Sequence, residues 1–209
     1  MYIKSVFLPL LVIVFVSCYP LGTFQGPDVL PEGEETLGMG LSWMTNIIAL
    51  EDSSTGNETA FMADASVLFR RGFSNNIDIG IKFVGRPWVD GALLTDVKWL
   101  VIHKPVKVAL DFGMSYWTNI DIYSFVGYHP SIIVGGDNLF AQFQYNYIRS
   151  RMNVLRTQDV ILGRHFKMKN SNYTFTPLFG LHRDEDDPEN IFYSLGFGFR
   201  GPLDEWSRP

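Results

Sequence analysis

The stretch "VKVALDFGMSY", residues 106–116, alternates between two kinds of side chain along its whole length. In an extended chain one face carries only apolar residues, and the other carries Lys107, Ala109, Asp111, Gly113 and Ser115. A period of two residues indicates a β-strand, because successive side chains of a strand point to opposite faces of the sheet. The stretch therefore predicts a strand that separates an apolar surface from a surface of small and charged groups.

The same alternation recurs along most of the chain, and no segment shows the period of an amphipathic helix. The alternating segments are residues 36–43, 61–70, 77–83, 93–103, 106–116, 123–134, 139–149, 160–167, 173–182 and 191–200. We therefore predict an all-β fold, in which residues 36–200 form a single antiparallel up-and-down β-barrel of about ten strands, with eight to twelve possible.

The connections between these segments alternate in length. Longer polar connections such as "NIIALEDSSTGNET" and "RDEDDPEN" take turns with short ones such as "KP" and "GGDN". Short turns at one rim and longer loops at the other are typical of transmembrane barrels of the bacterial outer membrane. A soluble sandwich or lipocalin-like barrel also alternates, but its polar face would meet water and would not be rich in glycine. The glycine-rich polar face and nearly uncharged apolar face favour a membrane barrel with a narrow interior.

The pattern resembles that of small bacterial outer-membrane β-barrel proteins as a class. The segment "YSLGFGFR", residues 193–200, looks like the aromatic-rich last strand of such barrels, and residues 201–209 continue as a C-terminal tail. The resemblance implies an aromatic girdle where the barrel meets the two membrane interfaces. The candidate girdle residues lie near segment ends on the apolar face: Trp43, Trp99, Tyr116, Tyr145, Tyr147 and Tyr173.

The N-terminal stretch "MYIKSVFLPLLVIVFVSC" has one cation, an apolar run, and then the one cysteine of the chain. It is short for a membrane-spanning helix and has the order of a secretory signal, which predicts a signal peptide over residues 1–17. The residues "FVSC" resemble the lipobox of bacterial lipoproteins, which implies a lipidated Cys18 followed by an extended tether over residues 18–35. A plain secretory signal is the alternative.

The composition excludes several kinds of function. The chain of 209 residues has a formal net charge of −5, which argues against nucleic acid as a partner. With four histidines and no cysteine after Cys18, we expect no structural metal site and no cofactor. The run "LHRDEDD" brings His182 close to Asp184, and Asp121 lies in another predicted outer loop. This grouping fits a solvated acidic loop better than a catalytic site.

Charged residues on the inner face predict an ion-paired lumen. A two-residue turn at "KP" would place Lys98 opposite Asp111, and on the outer face Val97 opposite Phe112 and Val101 opposite Val108. A turn centred on Ser74 gives the remaining predicted pairs, which are Arg70 opposite Asp78 and Lys82 diagonal to Asp64.

Three functions are compatible with this sequence. The first is a lipid-anchored, non-enzymatic surface or structural barrel with a filled lumen, which contacts membrane lipid and binds surface polysaccharide or an extracellular ligand through its longer loops. The second is a narrow pore for small solutes, and the third is an outer-rim barrel enzyme that acts on lipid or peptide. Barrels of about eight strands have room for side chains and little else, which favours the first.

Overall fold

The computed structural model describes residues 24–46, 62–86, 90–119, 124–149, 154–169, 171–189 and 191–206. The predicted signal peptide, Cys18 and Asp121 lie outside these ranges. The strands are β1 Glu35–Asn46, β2 Met62–Ser74, β3 Ile77–Arg86, β4 Asp90–Ile102, β5 Lys107–Asn119, β6 Ser124–Gly135, β7 Leu139–Arg149, β8 Val154–Arg164, β9 Phe166–Lys167, β10 Thr174–Asp184 and β11 Ile191–Pro202. A short helix, Leu203–Trp206, follows the last strand.

The strands close into an antiparallel barrel. Each strand pairs with its neighbours in the chain, and β11 pairs with both β10 and β1, which closes the sheet. Both β8 and β9 pair with β10 and act as one strand interrupted at His165, so the barrel has ten strands. The predicted all-β up-and-down barrel is therefore confirmed. Within the described ranges, no helix has the length and apolar character needed to cross a bilayer.

The two faces of the sheet have opposite chemistry, as the alternation predicts. Phe112 is 59% exposed on the outside, whereas its neighbour Asp111 is 3% exposed inside. Large apolar side chains are exposed in the same way on the outer face around the barrel, for example Val67, Phe83, Phe143 and Leu195. A continuous apolar exterior of this extent is unusual for a soluble protein and is typical of the lipid-facing surface of a membrane barrel.

The two rims differ in the connections that they carry. The short turns, for example between β2 and β3 and between β6 and β7, lie at the rim where β1 begins and β11 ends. In outer-membrane barrels the short turns face the periplasm and the longer loops face outward. We therefore call these ends the periplasmic rim and the outer rim.

The predicted register of the β4–β5 hairpin is confirmed in the part that lies away from the turn. Lys98 lies opposite Asp111, and Val97 lies opposite Phe112. Near the turn, the register shifts between Leu100 and Ile102, so that Ile102 rather than Val101 pairs with Val108. The predicted Val101–Val108 pair is wrong because a β-bulge adds one residue to β4 there.

The predicted register of the β2–β3 hairpin is also wrong. Arg70 lies opposite Gly80 instead of Asp78, and Lys82 lies opposite Leu68. The difference arises because the turn lies at Asn75 and Asn76, so that Ser74 pairs with Ile77, and a register shift between Gly72 and Ser74 then reduces the displacement to two residues. Because the net displacement is an even number of residues, every side chain keeps its predicted face.

The N-terminal segment enters the barrel, although the sequence predicts an extended tether over residues 18–35. The chain crosses the periplasmic rim at residues 31–34, where Gly33 N donates to Gly72 O at 3.0 Å and Gly72 N donates to Glu34 O at 2.9 Å. Phe24, Gln25 and Pro27 are buried inside the barrel. We call residues 24–30 the plug. The sequence did not indicate that this part of the predicted tether lies inside the barrel, and the tether itself stays a prediction.

Candidate functional site

The lumen is the candidate functional site, because the described functional groups converge there. Four features fill it: the plug, a network of charged side chains on β2–β5, an apolar layer around the plug, and a chain of polar side chains near the outer rim.

A lysine from the barrel wall holds the backbone of the plug. Lys98 is 0% exposed, and its Nζ donates to Gln25 Oε1 at 3.2 Å, to Gly26 O at 3.3 Å and to Asp28 O. The plug also contacts the wall where Leu30 N donates to Asp78 Oδ2 at 3.0 Å. Carbonyl groups buried away from water need such donors, so Lys98 satisfies much of the plug's backbone.

A second lysine closes the periplasmic mouth. Lys107 Nζ lies 2.5 Å from Asp28 Oδ1 and also contacts the carboxylate of Asp137 in the β6–β7 turn. The hydrogen bond from Lys107 lowers the pKa of the exposed Asp137 carboxyl below its usual value. Lys107 therefore joins the plug to the turn beside it.

The glycines of β1 and β11 make room for the ring of Phe24. A Cβ atom at Gly40 would overlap this ring, and one at Gly198 would lie 2.7 Å from it. On the opposite side, Lys82 Nζ lies 5.4 Å from the ring centroid, within the range of a cation–π contact. The glycine-rich inner face that the sequence shows is therefore a slot for an aromatic side chain of the same chain.

The charged network pairs buried groups from three adjacent strands. Arg70 Nε donates to Asp78 Oδ1 at 3.0 Å, and Arg70 Nη1 lies 2.5 Å from Asp96 Oδ1. Lys98 Nζ lies 3.5 Å from Asp78 Oδ2. Arg70 thus reaches Asp78 along a diagonal, although the two residues are not directly opposite. Buried charges of this kind require partners, because an unpaired charge in a low dielectric is costly.

The predicted contact between Lys98 and Asp111 is not formed. The two residues are opposite in register, but the ion pair of Lys98 among the described residues is with Asp78, and its ammonium also bonds the plug. Asp111 Oδ1 has no hydrogen-bond partner within the described part of the chain. The prediction is wrong because the sequence did not reveal the plug carbonyls that attract Lys98.

Lys82 and Asp64 are both buried in the lumen, and each has a partner. Asp64 lies further up β2 than the predicted diagonal position, because Lys82 is opposite Leu68. Even so, the carboxylates of Asp64 and Asp96 both lie close enough to interact electrostatically with Lys82.

An apolar layer lines the lumen, and on β4–β7 its wall residues lie within two residues of the periplasmic strand ends. It contains Phe24 of the plug and packs partly against Val29, and its wall residues are Leu100, Ala109, Ile133, Phe140, Ile161 and Leu178. A second apolar cluster, Val84, Ala92, Leu94 and Trp117, lines β3–β5 towards the outer rim. The layer separates the outer half of the lumen from the periplasmic mouth.

Above this layer, polar side chains from six strands form a continuous chain. It contains two Ser–His pairs. In the first, Ser115 Oγ lies 2.6 Å from His129 Nε2, and His129 Nδ1 lies 2.7 Å from Asn146 Oδ1. In the second, Ser194 Oγ lies 2.7 Å from His182 Nε2, and His182 Nδ1 lies 3.1 Å from Asp159 Oδ1.

The two pairs converge on one carboxylate. Asn146 Nδ2 donates to Asp159 Oδ2 at 2.5 Å and to Thr157 Oγ1 at 2.9 Å. Asn146 therefore presents its oxygen to His129 Nδ1, which must donate, and leaves His129 Nε2 to accept from Ser115. Asp159 Oδ2 accepts from Asn146, and Asp159 Oδ1 lies 3.1 Å from His182 Nδ1 without completing a hydrogen bond, so both branches meet at this carboxylate.

The structure changes the assignment of partners to His182. The sequence grouped this histidine with Asp184, but Asp184 lies at the end of β10 and its Oδ1 accepts from Asp186 N at 2.9 Å. His182 points inward and meets Asp159 and Ser194. The sequence missed Asp159 because it lay just before the predicted segment 160–167, whereas β8 spans Val154–Arg164.

The predicted girdle residues divide between the two rims. Trp43, Tyr116, Tyr145 and Tyr147 lie towards the outer ends of their strands, and Trp99 and Tyr173 lie towards the periplasmic ends. Trp99 is 47% and Tyr116 is 52% exposed. At the outer rim, Tyr145 Oη donates to Glu185 Oε2 at 3.0 Å. At the other rim, the Tyr173 ring packs against Trp206 at 5.5 Å. Their contact with the membrane interfaces stays a prediction.

Among the described residues, no group of three His, Cys, Asp or Glu side chains has an arrangement that could hold a metal ion. The expectation of no cofactor stays a prediction as well.

Comparisons with known proteins agree on the fold. No protein-family model and no curated protein matches the sequence significantly. An outer-membrane channel from Pseudomonas putida F1 is similar in structure, with a TM-score of 0.50 and 9% identity over 89% of this chain and 100% of the other. The KdgM porin, solved with disordered oligogalacturonate, matches with a TM-score of 0.41 and 9% identity over 77% and 98% of the two chains.

Outer membrane phospholipase A from Escherichia coli matches with a TM-score of 0.40 and 8% identity over 79% of this chain and 92% of the other. At these identities the likeness concerns the fold. The closed barrel and its apolar exterior, with the fold shared with the Pseudomonas channel, are those of a β-barrel of the bacterial outer membrane.

Proposed function

We propose that this protein is a plugged outer-membrane barrel that acts at the cell surface rather than as an open channel. The observation that carries the proposal is the plug. Phe24 lies at mid-height in the lumen, and the chain below it is tied to the barrel wall by Lys98 and Lys107. Within the described part of the chain, the plug occupies the lumen and would obstruct the passage of water and solute.

The energetics of the plug support a closed resting state. Phe24 and Gln25 are 8% and 0% exposed, and burying a phenylalanine side chain contributes about 1.5–3 kcal/mol. Charge-assisted hydrogen bonds such as those from Lys98 add about 1.5–3 kcal/mol each. Opening the lumen would therefore require several kcal/mol, which corresponds to a small open population at rest.

Planar-bilayer recording tests this proposal. The wild-type protein should insert without giving a stable ohmic conductance. A variant that lacks residues 24–30 provides the matched control, because removing the plug should produce a measurable conductance in the same assay. A stable conductance from the wild type would instead support the second function, a narrow pore for small solutes.

We further propose that Cys18 is lipidated and anchors the plug from the membrane surface. Cys18 precedes Phe24 by six residues in the sequence, and six extended residues reach about 20 Å. This reach is compatible with an anchor at the periplasmic surface of the membrane. Wild-type cells labelled with a radioactive fatty acid should carry the label on this protein, and Cys18→Ala should lose it. If the wild-type protein carries no label, Cys18 is not lipidated and the N-terminal stretch is a plain secretory signal.

The proposed surface role rests on the longer connections at the outer rim, which would bind surface polysaccharide or another extracellular ligand. Arg156 near the outer end of β8 and Asp186 in the connection after β10 lie 3.4 Å apart, and both are partly exposed. A glycan array probed with the detergent-solubilised protein tests this role. Binding that is lost on shortening the connection at residues 185–190 would support it, and no binding to any glycan would remove polysaccharide as the ligand.

A further inference from the structure

We infer that Ser194, His182 and Asp159 form a nucleophilic site in the outer half of the lumen, which acts on acyl esters that enter from the cell exterior. The inference goes beyond the plugged barrel and does not depend on whether the lumen conducts. It departs from the non-enzymatic role that the sequence predicts. The sequence did not show this grouping, because the three residues come from three strands and their contacts exist only in the folded barrel.

The order of contacts is that of a nucleophile, a base and an orienting carboxylate. Ser194 Oγ is 2.7 Å from His182 Nε2, and His182 Nδ1 is 3.1 Å from Asp159 Oδ1. The second contact is bent, since neither atom completes a hydrogen bond within the described part of the chain. Catalytic hydrogen bonds are often poorly aligned in structures without substrate. In this arrangement His182 Nε2 accepts the proton of Ser194, and the carboxylate of Asp159 faces His182 Nδ1 and orients the ring.

A glycine makes room for the Ser194–His182 contact. Gly180 lies directly opposite Ser194 on β10, and a Cβ atom there would overlap Ser194 Oγ and lie 2.8 Å from His182 Nε2. A side chain at this position would therefore displace the hydroxyl from the imidazole, and glycine avoids that clash. Ser194 and His182 are 1% and 3% exposed, so both side chains are buried among the described residues.

The location of the site determines the direction of access. His182 and Ser194 lie within three residues of the outer ends of β10 and β11, which is roughly 10 Å along a strand. Below the site, Ile161 and Leu178 belong to the apolar layer, and the Phe24 ring faces Gly196. The plug thus closes the site from the periplasm, and this apolar floor suits the hydrocarbon part of an acyl group.

The chemical step is an acyl transfer in two stages. Ser194 Oγ attacks the ester carbonyl carbon while its proton passes to His182 Nε2. The bond from that carbon to the alcohol oxygen breaks, and His182 returns the proton to the departing alcohol. Water then attacks the acyl-serine in the same way, so that ester and water yield acid and alcohol. Asp159 keeps the imidazole in the required tautomer throughout.

The related pair Ser115 and His129 provides an internal comparison. Gly127 lies opposite Ser115 and makes room in the same way, but His129 Nδ1 meets the neutral Asn146 instead of a carboxylate. In addition, Trp117 Nε1 donates to Ser115 Oγ at 3.0 Å, which reduces the electron density available for attack. These differences favour Ser194 as the nucleophile over Ser115.

Reaction with diisopropyl fluorophosphate tests the inference on the intact wild-type protein, in detergent micelles and in whole cells. The probe phosphorylates activated serines, with a phosphorus–oxygen bond formed and fluoride released. Peptide mapping by mass spectrometry should find the adduct on Ser194. Asp159→Asn should slow labelling by about 10²-fold to 10⁴-fold, as removal of the orienting carboxylate does in serine hydrolases. Ser131→Ala, a buried lumen serine outside both pairs, should label at the wild-type rate.

The experiment has decisive outcomes because the main readout needs no variant. A folded wild-type protein, verified by its heat-dependent mobility on a gel, that takes no adduct on Ser194 overturns the inference. An adduct on Ser115 alone, or labelling of Ser194 that Asp159→Asn leaves unchanged, also overturns it. Conductance measurements are independent of these results, so a failure here leaves the plugged barrel standing.

Discussion

Replacing Lys98 by methionine is the sharpest test of how the lumen is held together. The substitution keeps the length of the side chain and removes its charge and donors. Lys98 is 0% exposed, donates to Gln25 Oε1 and Gly26 O at 3.2 and 3.3 Å, and lies 3.5 Å from Asp78. Because the site is fully buried, solvent screening does not reduce the effect as it does at a surface.

Removing one partner of a buried ion pair costs about 3–5 kcal/mol, because it leaves an uncompensated buried charge. We therefore expect Lys98→Met to lower the free energy of unfolding by about that amount. Lys98 also interacts electrostatically with the buried Asp111, although the two side chains are not in contact. Asp111→Asn in the Lys98→Met background should therefore recover roughly 1 kcal/mol, because it removes a negative charge that has lost this interaction.

Equilibrium unfolding in urea, with the protein in lipid vesicles and followed by tryptophan fluorescence, measures both changes. The slope of free energy against denaturant should stay constant, so that a change in midpoint reports a change in stability. A loss below about 1 kcal/mol for Lys98→Met would refute the reasoning, since it would mean that Lys98 is neither buried nor the donor to the plug.

Two further predictions concern the plug slot and the lipid face. Gly40→Ala should loosen the plug and make residues 24–30 sensitive to protease, because the new Cβ would overlap the Phe24 ring, whereas Gly85→Ala, where a Cβ meets nothing within 4 Å, should leave the cleavage pattern unchanged. Phe112→Arg at mid-strand on the 59% exposed outer face should cost about 2–4 kcal/mol in vesicle unfolding, whereas Val106→Arg beside the periplasmic turn should cost about 0–1 kcal/mol. Equal costs at the two depths would contradict a membrane around this face.

The sequence was sufficient for the architecture because the alternation of side chains directly reports which face each residue takes. Asp111 and Phe112 illustrate this, since neighbours in the chain end on opposite sides of the wall. The register of strand pairing was harder to predict from the sequence. The bulge near Val101 inserts a residue that no periodicity reveals, and the β2–β3 turn lies at Asn75 and Asn76 rather than at Ser74, so pairs inferred from simple turns were displaced.

The plug and the polar chain could not be predicted for a different reason. The plug has no periodicity, and Gln25 meets Lys98 from 73 positions away in the sequence. Ser194, His182 and Asp159 were each visible as polar residues, but only the pairing of β10 with both β8 and β11 brings them together. In a closed barrel, strands that are distant in the chain share one lumen, so the site depends on contacts that local sequence does not encode.

Whether the N-terminal segment occupies the lumen is best measured by a disulfide between Phe24→Cys and Gly198→Cys. The Cβ position at residue 198 lies 2.9 Å from the Cβ of Phe24, close to the spacing of about 3.5–4.5 Å in disulfides. After mild oxidation of the folded protein in membranes, mass spectrometry should find the two cysteines in one linked peptide pair. If both cysteines instead react freely with an alkylating reagent and no linked pair forms, the plug does not lie in the lumen.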